Sequence, residues 1–413
     1  MAAIPHEDPN KLGPLTAGIP ESFPKPRSSK RDKLSKPGVT ATAAPSETFS
    51  FNLKPADIAR YLNRFVIGQT EAKKVLSVAL CDHFQHVRMT LEGNAVPFYQ
   101  KQNVLLLGPT GVGKTHLIRS AAELIGVPFA KADATKFSET GYVGGDVDDL
   151  VRDLVRRAGG NVRKAEHGII YLDEVDKLAT REPGAGRDVS GRGVQTNLLK
   201  LMEDGDVPLV SPNDVTGQLQ AAMSAMRSGS GGAQPETINT RHILFVVSGA
   251  FSGLADIIQH RLGLRNTHPE PRGSIRSRHL DRLLAQTSTS DFIAYGLEPE
   301  FIGRLPVRVA CHGLDADDLF DVLRKSESSL IHQYERAFAA YGIKCEFKDD
   351  GLRRLAALAA TEHTGARGLM TVCERAFRDL KFRLPSSRVK HFQVNARLVD
   401  SPGAELKRLL SQR

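Results

Sequence analysis

One stretch limits the possible folds more than any other: Val104-Leu105-Leu106-Leu107 runs directly into Gly108-Pro109-Thr110-Gly111-Val112-Gly113-Lys114-Thr115. A short apolar run stopped by Gly-Pro reads as a strand buried on both faces. The segment Lys114 to Ile125 reads as a helix, so the glycine-rich turn joins the carboxyl end of a strand to the amino end of a helix. Glycines there leave backbone N–H groups free to wrap an anion that also meets the helix N-terminus. In this P-loop pattern the lysine, Lys114, reaches the β and γ phosphates of a nucleotide, and the hydroxyl of Thr115 holds Mg²⁺.

Two more apolar runs, Ile169 to Leu172 and Ile243 to Val247, have the same buried-strand character. Strands alternating with helical segments predict an α/β domain with a parallel central sheet. The first of the two runs ends in Asp173-Glu174. A strand end beside the P-loop sets Asp173 against the Mg²⁺ shell and brings Glu174 within reach of the water that attacks the γ-phosphate. Taken alone, such a carboxylate pair is as often a helix cap; beside a P-loop it reads as catalytic.

At 413 residues, 40% hydrophobic and 25% charged, the chain has room for more than one domain and the balance of a globular protein. Residues 1–50 are rich in Pro, Ser, Lys and Ala and read as a disordered tail, since they bury too little to offset their ordering entropy. A large domain is expected over 51–312. Within it, the small-residue segment 211–240 reads as a mobile insertion and 262–290 as a solvated basic loop. After about Gly313 the periodicity becomes helical. Leu330, Ile331, Tyr334, Phe338 and Tyr341 fall on one face, and Leu369, Val372, Cys373, Ala376, Phe377 and Leu380 on another. This predicts a smaller, mostly helical C-terminal domain over 313–395, containing a strand at Ile343 to Phe347, and a tail over 396–413. Cys81, Cys311, Cys345 and Cys373 lie far apart with no CxxC pair. They read as small core residues of a protein from a reducing cytoplasm, with no zinc site. No apolar run is long enough to span a bilayer and no secretory leader is visible. The net charge of +9 admits acidic partners or nucleic acid.

Further words stand in a fixed order around these: Val66-Ile67-Gly68-Gln69, Gly141-Tyr142-Val143-Gly144, Arg187-Asp188-Val189-Ser190-Gly191, Pro299-Glu300-Phe301-Ile302-Gly303-Arg304-Leu305-Pro306 and Gly365-Ala366-Arg367-Gly368-Leu369. With the P-loop, this set resembles the ClpX-type AAA+ unfoldases, with the related HslU branch as the next match. The resemblance spans roughly Phe51 to Ser386. It implies a homohexameric ring that hydrolyses ATP with Mg²⁺ and threads unfolded or tagged proteins through a central pore. It also implies residue roles. Val66 and Ile67 flank the adenine, though simple core packing is equally compatible. Tyr142 and Val143 form a pore loop that grips the polypeptide. Arg304 is a finger reaching the neighbouring subunit's γ-phosphate, Arg367 a sensor contacting the chain's own nucleotide, and Ser248 a candidate first sensor.

Three departures from that pattern bear on partners. The family's usual N-terminal four-cysteine zinc domain has no counterpart, the first cysteine being Cys81. Where the family carries an Ile-Gly-Phe-like tripeptide that docks a peptidase, this chain has Leu262-Gly263-Leu264. Without the aromatic anchor, docking to a Clp-type peptidase should weaken. The segment 211–240 lacks a basic Arg-Lys-His loop, and Arg192 stands where an acidic residue is usual. Two alternatives remain beside the unfoldase: an ATP-driven nucleic-acid remodeller, suggested by the positive charge, and a regulatory subunit of a ClpX-type ring. Neither membrane association nor a nucleic-acid module is expected.

Overall fold

The computed structural model describes residues 49–137, 145–179, 189–210, 237–264 and 274–411. The tail 1–48, the Tyr142–Val143 pore-loop expectation, most of the insertion (211–236) and 265–273 lie outside the described residues.

Five strands form one parallel sheet: β1 (Val104–Leu107), β2 (Phe129–Asp133), β3 (Ile169–Asp173), β6 (Leu244–Gly249) and β7 (Val307–Ala310), in the order β2-β3-β6-β1-β7. A short antiparallel pair, β4 (Asp206–Pro208) and β5 (Thr237–Asn239), lies between β3 and β6 in the chain. Register runs Val104↔Val246, Val104↔Val307, Ile169↔Leu244 and Phe129↔Ile169. Side chains alternate across the sheet, and both faces are covered. Leu105, Leu107, Ile170, Leu172, Phe245 and Val247 enter one core. Val104, Leu106, Ile169, Tyr171, Leu244 and Val246 enter the other. Double coverage is why the central strands are continuous apolar runs rather than alternating ones.

The helix Lys114–Ile125 matches the sequence expectation at both ends, where Gly113 (φ 98°) and Gly126 (φ 80°) take the left-handed conformation. Ahead of it, the helices Pro55–Phe65 and Thr70–Leu91 meet at the Val66-Ile67-Gly68-Gln69 turn. That turn is held by buried polar groups. Lys73 donates to the Val66 carbonyl at 2.6 Å and to Asn63 Oδ1 at 2.7 Å, and burial pushes its ammonium down to about 8. The Gln69 amide donates to the His312 carbonyl and accepts from the His312 N–H, both at 2.8 Å.

Residues 314–411 build a separate core. Helices Ala316–Lys325, Leu330–Ala339, Asp349–Thr361 and Ala366–Arg383 surround the parallel pair β8 (Lys344–Phe347) and β9 (His391–Val394). Tyr334, Phe338, Phe377 and Phe392 pack inside, with Leu369, Val372, Cys373, Ala376 and Leu380 as the periodicity predicts. All four cysteines are buried and free.

Three expectations need correction. Residues 396–413 do not trail away. Helices Ala396–Asp400 and Pro402–Ser411 bury Leu398, Val399, Leu406 and Leu409 in the C-terminal core, because apolar residues at i, i+3 spacing outweigh Pro402 and Gly403. The basic stretch 262–290 is not wholly loop. Ser274–Leu284 is a helix with Leu283 and Leu284 buried, and Arg261 pairs with the buried Asp291 at 2.7 Å. Tyr341 lies beyond the end of Leu330–Ala339 and is exposed, so it leaves the face shared by Tyr334 and Phe338.

Candidate functional site

At the carboxyl edge of the sheet, where open α/β sheets present their ligand crevice, lies a cleft of about 750 Å³. Thr110, Gly111, Val112, Gly113, Lys114 and Thr115 line it from the P-loop, Asp173 and Glu174 from the end of β3, Val66 and Ile67 from the helix turn, and Arg367 from the C-terminal body. Ten of the sequence-expected residues on the P-loop, β3 and the helix turn thus meet Arg367 around one space, although 253 positions separate Lys114 from Arg367.

The P-loop backbone is shaped by what it touches. Gly111 has φ 76°, and a Cβ there would lie 2.1 Å from the Thr364 carbonyl oxygen. Its own carbonyl accepts the Ala366 N–H at 2.9 Å. Gly365 makes the reciprocal approach: a Cβ there would stand 2.8 Å from the Gly111 oxygen. Glycine on both sides lets two backbones meet without side chains between them. Gly108 and Pro109 sit behind the cleft and turn their carbonyls toward Lys114, whose ammonium donates to them at 2.6 and 2.8 Å. Burial lowers the Lys114 pKa.

Asp173 is the most heavily bonded side chain of the site. Its Oδ1 accepts from the Ser248 hydroxyl at 2.6 Å and from the Glu174 N–H at 3.2 Å. Its Oδ2 accepts from the Lys131 ammonium at 3.0 Å and from the Thr115 hydroxyl at 3.4 Å. Burial pushes this carboxyl upward, but the Ser248 and Lys131 contacts outweigh that and hold it below the usual range. Glu174 follows in the left-handed conformation at φ 57°, a position that costs a non-glycine residue, and lines the cleft.

Ser248 and Arg304 stand apart from the cleft. Ser248 is fully buried in β6, the strand beside the one that ends in Asp173, and shares a 2.7 Å hydrogen bond with the Tyr171 hydroxyl. Arg304 lies at the far end of helix Pro299–Gly303, half exposed, with Nη2 2.5 Å from Glu203 Oε1. The 138–144 segment that carries Tyr142 is outside the described residues. The described residues on either side of it, Phe137 and Gly145, pair as an isolated bridge.

Sequence reasoning missed Lys131 and Tyr171 as members of the site. In the sequence Tyr171 is one more residue of an apolar strand, yet its hydroxyl stands 3.2 Å from Thr115 Oγ1. Lys131 lay in a strand that the apolar-run criterion does not detect; the signal available was a lone lysine between alanines, two residues before Asp133.

Thr115 Oγ1 and Asp173 Oδ2 form a pair of hard oxygen donors of the kind a divalent cation takes together with phosphate oxygens. Among the described residues no group of three or more His, Cys, Asp or Glu side chains is placed to hold a metal unaided. Donor chemistry therefore fits Mg²⁺ arriving with a nucleotide. No helix among the described residues is long and apolar enough to cross a membrane.

Residues 99–308 match the family described as AAA domain (Cdc48 subfamily). Together with the parallel sheet and the P-loop, that match makes the protein a nucleotide-binding ATPase of the AAA+ class. The ATP-dependent Clp protease ATP-binding subunit ClpX 3 of Methylococcus capsulatus is 40% identical over 366 residues, covering 84% of this chain and 80% of that protein. The chain belongs to the ClpX family, ATP-dependent unfoldases of the Clp type. Neither match favours nucleic-acid remodelling.

Proposed function

We propose that the cleft binds ATP with Mg²⁺, that hydrolysis occurs at the seams of a homohexameric ring, and that each cycle draws an unfolded or tagged protein past Tyr142 and Val143. The supporting observation is the convergence of Lys114, Thr115, Asp173 and Glu174 with Arg367, which comes from a separately packed body, on one cleft. P-loop N–H groups bind the phosphates, and the Lys114 ammonium balances their charge. Val66 and Ile67 cover the adenine with apolar surface. When bound, Mg²⁺ neutralises charge that develops on the transferred phosphoryl group. Glu174 accepts the proton of the attacking water. Ser248 keeps Asp173 oriented and ionised through its 2.6 Å hydrogen bond. Arg367 contacts the chain's own nucleotide, and Arg304 reaches the nucleotide of the next subunit, which accounts for its distance from its own cleft.

Part of the family's partnership is weaker here. Leu262 and Leu264, both exposed at the end of helix Leu254–Arg261, offer aliphatic contacts only. The relative's printed role as ATP-binding subunit of a Clp protease carries over as a proposal with reduced peptidase affinity, in a cytoplasmic setting.

Glu174→Gln tests the core of this reading. The variant should bind ATP as tightly as the wild type while steady-state hydrolysis falls by about 10²-fold or more, the scale of a lost general base. Hydrolysis at the wild-type rate would remove Glu174 from this role.

A further inference from the structure

We propose that Lys131 is a tethered cation standing in the position of the divalent metal, where it steadies the Thr115–Asp173 pair and competes with Mg²⁺ for it. This rests on the nucleotide reading of the cleft and extends it. In β2 the register sets Lys131 opposite Tyr171 of β3, so the two side chains share a face of the sheet. The lysine ammonium lies over the tyrosine ring, with Nζ 5.6 Å from the ring centre. It also reaches Asp173 Oδ2 at 3.0 Å and Thr115 Oγ1 at 3.3 Å.

Those two atoms are the oxygen donors that suit the metal. The other carboxylate oxygen of Asp173 is taken up by neighbouring donors. Asp173 Oδ1 is already engaged by Ser248, by the Glu174 N–H and, at 3.5 Å, by the Tyr171 hydroxyl. The Thr115 hydroxyl is bracketed by Tyr171 at 3.2 Å and Asp173 at 3.4 Å, with Lys131 donating to it. An ammonium donor and a divalent cation cannot use the same lone pairs, and two positive charges a few ångströms apart repel strongly in a half-buried site. Because the ammonium is tied to the site by the chain, metal must displace it against a high effective concentration.

A lysine on a flexible four-carbon stem has somewhere to go when displaced. Phosphate oxygens of a bound nucleotide would be held by the P-loop and Lys114 of the same cleft. Two consequences follow: nucleotide binds with unusually little dependence on metal, and the metal concentration needed to saturate the complex is raised.

Both are read by the anisotropy of a fluorescent ADP on the full-length protein, in excess EDTA and across a Mg²⁺ titration. Lys131→Met keeps the stem and removes the charge. It should weaken nucleotide binding in EDTA about ten-fold, which is about 1.4 kcal/mol, and lower the half-saturating Mg²⁺ concentration by a similar factor. Lys131→Arg should behave as the wild type, which separates the charge from any packing role. If the wild type binds nucleotide and Lys131→Met gives the same metal-free affinity and the same Mg²⁺ midpoint, the proposal fails while the nucleotide site stands. If the wild type binds no nucleotide in either condition, the nucleotide reading falls, and the proposal with it.

Discussion

Gly111 has no freedom to carry a side chain. Its φ of 76° is a left-handed conformation, and the Thr364 carbonyl occupies the place of a Cβ. Gly111→Ala therefore meets both backbone strain and a contact at 2.1 Å with a main-chain atom that cannot swing away. The expected cost is about 1–3 kcal/mol of strain, seen as a lower melting temperature. Nucleotide affinity should fall together with it, because relief of the clash moves the same loop whose N–H groups hold the phosphates. A variant that melts and binds as the wild type does would mean the contact between Gly111 and Gly365 is not maintained in solution. Lys131 belongs to the same scale. Its role was invisible in a list of motifs because it comes from two distances, not from a spacing.

Far from the cleft, four histidines gather where the helix Thr70–Leu91 crosses the amino ends of β3 and β6: His83 and His86 from the helix, His167 and His242 from the strand approaches. His83 is wholly buried with its Nε2 3.0 Å from the His242 carbonyl, and the Tyr99 ring stacks on His86. Burial, with the nearby Lys101, lowers His83 to about 3; burial, with His167 and Arg241, lowers His242 to about 4. The folded form thus binds fewer protons than the unfolded chain, whose histidines titrate near about 6.5. Stability from this cluster is complete above that pH and is lost as pH falls toward 4. Melting temperature should drop steeply between about pH 6.5 and 4. His83→Phe should flatten that drop; an unchanged slope would show that other groups dominate acid unfolding.

The same elements show where the sequence could be read. β1, β3 and β6 are interior strands, covered on both faces and flanked on both edges, so each is an uninterrupted apolar run. The two edge strands escaped notice. Phe129-Ala130-Lys131-Ala132-Asp133 and Val307-Arg308-Val309-Ala310 each mix charge with apolar residues because one edge is unpaired. Lys131 was lost along with its strand. Helix Lys114–Ile125 was legible because a glycine stands at each end, whereas Pro402–Ser411 was masked by a Pro-Gly start that reads as a break.

At the scale of the assembly, Arg304 separates two readings. It lies outside its own cleft, paired with Glu203. On the proposed ring, Arg304→Ala should bind nucleotide normally yet lose about 10³-fold in hydrolysis, the scale of a removed arginine finger. Mixing it with Lys114→Ala subunits should restore part of the rate, since an intact Arg304 then faces an intact cleft. Absence of rescue would argue that Arg304 acts within its own subunit. The C-terminal body, meanwhile, is fastened on two sides of the cleft. On one side, Ser326 donates to the Phe65 carbonyl at 2.7 Å and Arg64 grips Glu327 through two hydrogen bonds. On the other, the Ala366 N–H meets the Gly111 carbonyl. The first fastening holds the wall of the cleft and the second its phosphate-facing floor. A body tied to both the wall and the floor of the cleft feels a displacement at either point, so a change at the phosphate-facing backbone is passed to the C-terminal core rather than absorbed by a free loop.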